Sequence, residues 1–380
     1  MSDYLDHNAT TALDERVLDA MLPYLRTRFG NPSSVHGYGR QVRGAVDLAR
    51  QQVAAAVGVQ PDQVIFTSGG TEANNLALHA VTAAAPGHII IGATEHPSVL
   101  TPAMAMQARG WRVERLPVDA DGRICRECLP GLMRPDTRLV SVMMANNETG
   151  VITDVAGLRD MLPAAVKLHS DAVQAFGKLD VDFAASGADM MSLSAHKIHG
   201  PSGIGALIVD RVLDPLPIIY GGAQERGRRA GTENVAAIVG FGRAAELAVA
   251  EGAERRSRLL ALRQHLEQRL LEAVPGVTIF GQSEARLDNT VFFAVPMIDG
   301  ESLVMALDQE GFAVASGSAC SSDSPEPSHV LLAMGVDQNL ARCAVRVSLG
   351  DLNDRVTVDR FVDSLIGQVG KLNNLAVLAW

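Results

Sequence analysis

Residues 63–85 read QVIFTSGGTEANNLALHAVTAAA. Val64 to Phe66 form a compact, β-prone apolar run. The pair Gly69–Gly70 marks a turn, and the stretch from Thr71 onward is rich in helix formers. A strand that enters a helix through a glycine turn is the repeating unit of an α/β fold. The same order recurs downstream. GHIIIGATEH, RLVSVMMANNETG, AVKLHSDAVQ, DMMSLSAHK and GIGALIVD each place an apolar run just before a polar cluster. Buried strands alternating with helices predict a mostly parallel sheet, with functional groups gathered at the carboxyl ends of the strands.

Outside this region the pattern changes. The stretch from Ala236 to Val274 reads as one long helix, with Leu262, Leu266 and Leu270 at i, i+4 spacing, stopped by Pro275 and Gly276. Strand candidates GVTIF, NTVFFAV, GFAVAS and AVRVSLG follow, interleaved with helices. We therefore expect an α/β large domain over 16–255. A smaller α+β domain is expected from 1–15 together with 256–380, joined to the first by the long helix.

Composition narrows the function. The 380 residues are 47% hydrophobic but only 4% aromatic, so aliphatic side chains must fill the core. A formal net charge of −10 argues against nucleic acid or an anionic membrane surface as partner. No apolar run approaches the roughly 20 residues of a membrane span. The amino terminus lacks the basic and apolar regions of a secretory signal. Four cysteines make no disulfide framework in a chain of this length. These features predict a reduced, cytoplasmic enzyme.

Three motifs carry chemistry. TSGGTEANN can be a tight turn capped by Thr71, or a phosphate cradle of free backbone N–H groups at a helix N-terminus. HSDAVQAFGK puts Asp171 at a strand tip, either as a helix cap or as a carboxylate facing a ring nitrogen. SAHKIHGPSG puts Lys197 at the end of a strongly apolar strand, either as a surface lysine or as an amine nucleophile. Together, a phosphate cradle, an acid for a ring nitrogen and a strand-tip lysine describe a pyridoxal-phosphate site. The mobile-looking stretch SGSACSS offers a lone cysteine, Cys320.

YLDHNATT, FGNPSSVHGYGR, SGGTEANN, TEHPSVL, NNETG, HSDAVQAFGK, SAHKIHGPSG, GGAQERGRRAGTEN, SGSACSS and EPSHVLLAMG occur in this order from residue 4 to about 350. The set closely resembles the cysteine desulfurases of the nitrogen-fixation and iron–sulfur-assembly type. These belong to the class V aminotransferase family and have the fold-type I pyridoxal-phosphate architecture. The resemblance implies a homodimer that converts L-cysteine to L-alanine and passes the sulfur to an acceptor protein such as an iron–sulfur scaffold. It implies that Lys197 binds the cofactor covalently, and that Asp171 holds the pyridine nitrogen and Gln174 the ring hydroxyl. His96 would stack on the ring and assist proton transfers. Gly70, Thr71, Ser194 and His196 would hold the phosphate, with Thr232 reaching it from the other subunit. Asn147 and Arg346 would hold the substrate carboxylate, and Asn31 would help at the rim. Cys320 matches the nucleophile that carries the persulfide. No resident metal is implied, beyond a transient contact of Cys320 with a nascent cluster.

Some features fall outside the resemblance. Cys125 and Cys128 stand at C-x-x-C spacing, and we read them as an incidental surface pair rather than a redox or metal site. Cys343 reads as packing. The apolar tail NNLAVLAW reads as docking on the small domain. Two other activities compete with the desulfurase reading. A selenocysteine lyase on the same fold could use the same nucleophile. A non-catalytic sulfur-relay scaffold would not need Lys197, Asp171 and His96 intact.

Overall fold

The structure, a computed structural model, describes residues 3–82, 85–317 and 326–378. A seven-stranded sheet dominates it. Across the sheet the strands run Val64–Thr67, Gly205–Val209, Met190–Ser194, Lys167–Asp171, Thr137–Ser141, His88–Gly92 and Arg112–Leu116. Only Gly205–Val209 runs against its neighbours. The other six point their carboxyl ends to one edge.

The predicted buried strands are there, and their residues are almost wholly buried. Helices cover both faces, as a parallel sheet requires. One face packs Val53, Phe66, Leu168 and Phe241. The other packs Ile65, Leu76, Ile89 and Leu139. Phe66 and Ile65 are adjacent in sequence and lie on opposite faces, as the two-residue period of a strand dictates. The edge strand Arg112–Leu116 has no continuous apolar run, because four of its five residues are partly or fully exposed. That composition explains why the sequence did not announce it.

The long helix spans Val235–Ala273, capped by the Asn234 side chain and ending at Val274, just before Pro275. Its first half packs on the large sheet and its second half on another core. That second core joins Leu262, Leu266 and Leu270 to Leu5, Phe293, Val345 and Phe361. Here the sheet is antiparallel, in the order Ala315–Ser316, Ala344–Ser348, Thr290–Ala294 and Thr278–Ile279. The chain start is woven into this region: Asp3–Tyr4 pairs in parallel with Phe312–Ala313.

The cysteines need one correction. Cys125 and Cys128 are joined in a disulfide, so the pair is not reduced. The 3-10 turn Arg126–Cys128 folds the three-residue spacing back on itself, which brings the two sulfurs together. Cys343 is buried, as a packing residue should be, and burial pushes its thiol up. Cys320 lies outside the described residues, as do the side chains from Asn373 onward in the final helix Arg355–Leu378. Among the described residues no helix is long and apolar enough to cross a membrane, and no three His, Cys, Asp or Glu side chains group as a metal site.

Candidate active site

A cavity of about 420 Å³ opens at the carboxyl edge of the large sheet. Several strands that point their carboxyl ends to this edge each deliver one part of the lining. The strand Val64–Thr67 leads into the helix Gly70–Thr82, whose first residues, Gly70 and Thr71, line the cavity. His96 follows the strand His88–Gly92 and caps the helix Pro97–Gln107. Asn147 follows Thr137–Ser141, Asp171 ends its own strand, and Ser194 and Lys197 close the next one. Asp171 and Ser192 are register partners, so strand pairing alone brings the acid within reach of the Ser194–Lys197 corner.

Lys197 Nζ donates to the carbonyls of Asn8 (2.5 Å) and Ala9 (2.7 Å). Asn8 is a junction. Its carbonyl also accepts from Gln174 Nε2 at 2.8 Å, and its side-chain oxygen accepts from Lys178 Nζ at 2.8 Å. Its amide donates to Thr290 Oγ1 (2.9 Å) and to the Asn147 carbonyl (3.2 Å). Lys178 also donates to Gln174 Oε1 at 2.6 Å, which fixes the Gln174 amide. Burial, with Lys197 and Arg346 nearby, holds the Lys178 amine well below the usual lysine range.

Arg346 sits in the strand Ala344–Ser348. Its guanidinium donates to the Asn147 carbonyl (2.9 Å) and pairs with Asp6 (2.7 Å). Asp171 accepts from the Val173 N–H at 2.9 Å and from Asn74 Nδ2 at 2.7 Å. Burial lowers the His96 pKa below the ordinary histidine value. Asp171 opposes that shift, while Lys197 and His329 add to it. Burial likewise takes His196 down to about 4, with Lys197 and Lys178 assisting. Beneath the floor, Glu95 is fully buried and burial raises its carboxyl; one oxygen accepts the Met143 N–H at 2.6 Å and the other has no partner.

The residues fit pyridoxal phosphate. Ser194 Oγ is buried beside the cavity with no hydrogen-bond partner, as a phosphate ligand would be before its phosphate arrives. The helix that begins at Gly70 turns its free N–H groups toward the same corner. A methyl group at Gly70 would stand 2.7 Å from Val173 Cγ2 and fill the cradle.

Of the residues singled out from sequence, Gly70, Thr71, His96, Asn147, Asp171, Gln174, Ser194, His196, Lys197 and Arg346 all line this one cavity. Thr232 does not. It lines a neighbouring cavity with Gly203 and Arg229. Asn31 is exposed and turns its side chain back to accept the Ser33 N–H at 2.9 Å, away from the cavity. The sequence reading missed Asp6, Asn8, Asn74 and Ser98. Asn74 could have been found, since it lies one helical turn beyond Gly70 and Thr71. Asp6 and Asn8 carried no local signal, because only the tertiary fold lays the chain start across the pocket.

The fold and pocket define a pyridoxal-phosphate-dependent enzyme of the fold-type I class. The aminotransferase class-V model matches residues 3–361. The chain is 45% identical over 378 residues to a cysteine desulfurase of Gluconacetobacter diazotrophicus, covering 98% of this chain and 94% of that protein. It is 41% identical to cysteine desulfurase IscS 1 of Archaeoglobus fulgidus, covering 99% of each. Among solved structures, a NifS-like protein superposes with a TM-score of 0.91 at 37% identity, covering 97% of this chain and all of that one. The chain belongs to the class-V aminotransferase family, and within it to the cysteine desulfurases. It converts cysteine to alanine and hands the sulfur to acceptors as a persulfide.

Proposed function

We propose that Lys197 and Cys320 are the two reactive groups, and that a homodimer is the working unit. The observation that carries this reading is the convergence of Lys197, Asp171, Gln174 and Arg346 on one cavity at the sheet edge.

Gly70, Thr71, Ser194 and His196 would hold the cofactor phosphate, Asp171 its ring nitrogen and Gln174 its ring hydroxyl. Asp171 keeps that nitrogen protonated, because opposite charges at close range favour each other. When bound, pyridoxal phosphate takes up the electron pair left by the substrate's α-proton. Arg346 and Asn147 hold the cysteine carboxylate; a guanidinium fork suits that task. Lys197 removes the α-proton and later returns a proton to carbon. The thiolate of Cys320 attacks the substrate sulfur. The new S–S bond forms as the C–S bond breaks, and alanine leaves.

Cys320 can be related to the pocket through its described flank. Ser316 pairs with Val345, next to Arg346, and the Gly317 N–H donates to the Ala344 carbonyl at 3.0 Å. Three residue steps along the chain, at most about 11 Å, lead from Gly317 to Cys320. The position of Thr232 outside its own pocket, together with the exposure of Thr71, supports a cradle completed by Thr232 of the partner protomer. We place the enzyme in the cytoplasm, where a thiol nucleophile stays reduced; the Cys125–Cys128 disulfide is an exception to that setting. The acceptor we propose is an iron–sulfur scaffold.

Two variants test the assignments. Lys197→Ala should abolish the reducible, covalently held chromophore, and its persistence would remove Lys197 from the role. Cys320→Ser should stay yellow yet form no persulfide on the peptide spanning residue 320, read by alkylation and mass spectrometry after incubation with cysteine. Normal turnover by that variant would place the nucleophile elsewhere.

A further inference from the structure

His96 caps its helix through Nδ1, which accepts the Ser98 backbone N–H at 3.1 Å. A backbone amide can only donate, so Nδ1 carries no proton and the neutral ring is protonated at Nε2. Ser98 Oγ lies 2.7 Å from the same nitrogen. That hydroxyl itself accepts from Asn74 Nδ2 at 2.8 Å, so its own hydrogen is directed to Nδ1. The Asn74 orientation is fixed in turn by Asp171. The same Nδ2 donates to Asp171 Oδ2 at 2.7 Å, and a flipped amide would set two oxygens against each other there. Asn74 Oδ1 is left buried without a partner, so nothing competes to turn the group over.

We propose that Asn74 and Ser98 are positioning residues that lock His96 as the Nε2–H tautomer, so that His96 offers the pocket an N–H donor and not a lone pair. The inference rests on the reading of this cavity as the desulfurase site. Both N–H bonds of one amide are in use, one on the pyridine partner and one on the hydroxyl behind the histidine. This makes Asp171 and His96 a single rigid unit. An amide does not pass a proton on, so a proton path behind His96 ends at Asn74 although the hydrogen bonds continue to Asp171. Protonating Nδ1 would also break the helix cap. Of the charged groups around the ring, Asp171 is part of this lock through Asn74, while Lys197 and His329 lie on other elements and make no bond in it. At Nε2 His96 can then give a proton or a hydrogen bond but cannot accept a proton, so removal of the α-proton falls to Lys197.

The test is ¹⁵N NMR of the histidine-labelled holoenzyme without substrate, with His96 assigned by its loss in His96→Gln. The expected result is an unprotonated Nδ1 and a protonated Nε2 from neutral to mildly alkaline pH. A ring protonated at Nδ1, or one averaging between tautomers, overturns the proposal. Ser98→Ala should move the Nδ1 signal downfield as the hydroxyl bond is lost, and Ser98→Thr should restore it. An unmoved signal in Ser98→Ala removes Ser98 from the role. If Ser98→Ala does not fold, the wild-type spectrum still decides. The spectrum reads the tautomer whether or not Lys197 and Cys320 are the reactive groups, so the two readings fail separately.

Discussion

Arg346 Nη2 lies 2.7 Å from Asp6 Oδ1, so the proposed fork for the substrate carboxylate already holds a carboxylate of its own chain. The pair is mostly buried, and Nε of Arg346 has no partner. Asp6 neutralises a cation that would otherwise stand almost alone, and the unused N–H groups remain for substrate. Removing one partner of such a pair costs more than the pair itself contributes. Asp6→Asn should therefore destabilise the substrate-free enzyme by about 1–3 kcal/mol. Saturating L-alanine should recover part of that loss, because its carboxylate replaces the missing charge. Thermal denaturation with and without L-alanine measures both. Equal stability of variant and wild type would show that Asp6 is not the counterion.

Gly70 lines the cavity between Val173 and Ser194. Gly70→Ala places a methyl against Val173 and across the phosphate corner. The helix itself should tolerate alanine, which has the higher helix propensity. The expected outcome is a folded protein whose cofactor affinity falls at least about tenfold, a loss of about 1.4 kcal/mol. Titration of the apoprotein with pyridoxal phosphate, followed by absorbance, gives the value.

His169 gives the protein a pH dependence whose sign can be stated. It lies within the strand that ends in Asp171, between Ser141 Oγ (2.8 Å) and Ser192 Oγ (3.0 Å). Burial pushes its pKa down to about 3, against 6.5 for an ordinary histidine. The unfolded chain therefore binds the proton first. Stability is complete above pH 6.5 and falls as pH drops toward 3, by at most about 1.4 kcal/mol per pH unit for this group. His7 and His196, both taken down to about 4, slope the same way. Denaturant midpoints measured across this window should fall with pH, and His169→Asn should flatten the slope.

Glu95 acts in the opposite direction. Its raised carboxyl favours the folded state at low pH, and that contribution is lost as pH rises above 4.5 through the folded value. Glu95→Gln keeps the acceptor for the Met143 N–H and removes the buried charge. It should be more stable than wild type at neutral and alkaline pH, with the difference vanishing near pH 4.5. A variant less stable than wild type at pH 8 would mean that burial does not raise the Glu95 carboxyl.

Much of the site was legible before any fold was known. Buried strands must end in polar turns, and a cofactor with a phosphate, a ring nitrogen and an aldehyde needs a cradle, an acid and an amine. Gly70, Asp171 and Lys197 each follow an apolar run within a few residues, so local pattern exposed them. Asn147 and Arg346 were reached through resemblance. Asp6 and Asn8 were not singled out, because their importance lies in contacts 189 and 340 residues away along the chain. The Cys125–Cys128 bond was misread for a related reason: spacing gives the opportunity for a disulfide, while the turn between the cysteines decides it.

The sequence by itself determined the alternation of strands and helices, the edge at which chemistry would gather, and the residue types that make it a pyridoxal-phosphate site. Those are consequences of local periodicity and of which side chains can hold which charge. Only the tertiary structure decided that the first residues of the chain cross the pocket, that Arg346 meets Asp6, and that Asn74 binds Asp171 to the support of His96. Hydrogen-bond direction depends on which donors and acceptors are brought within about 3 Å of each other, and closure of the fold fixes that, not neighbourhood in the chain.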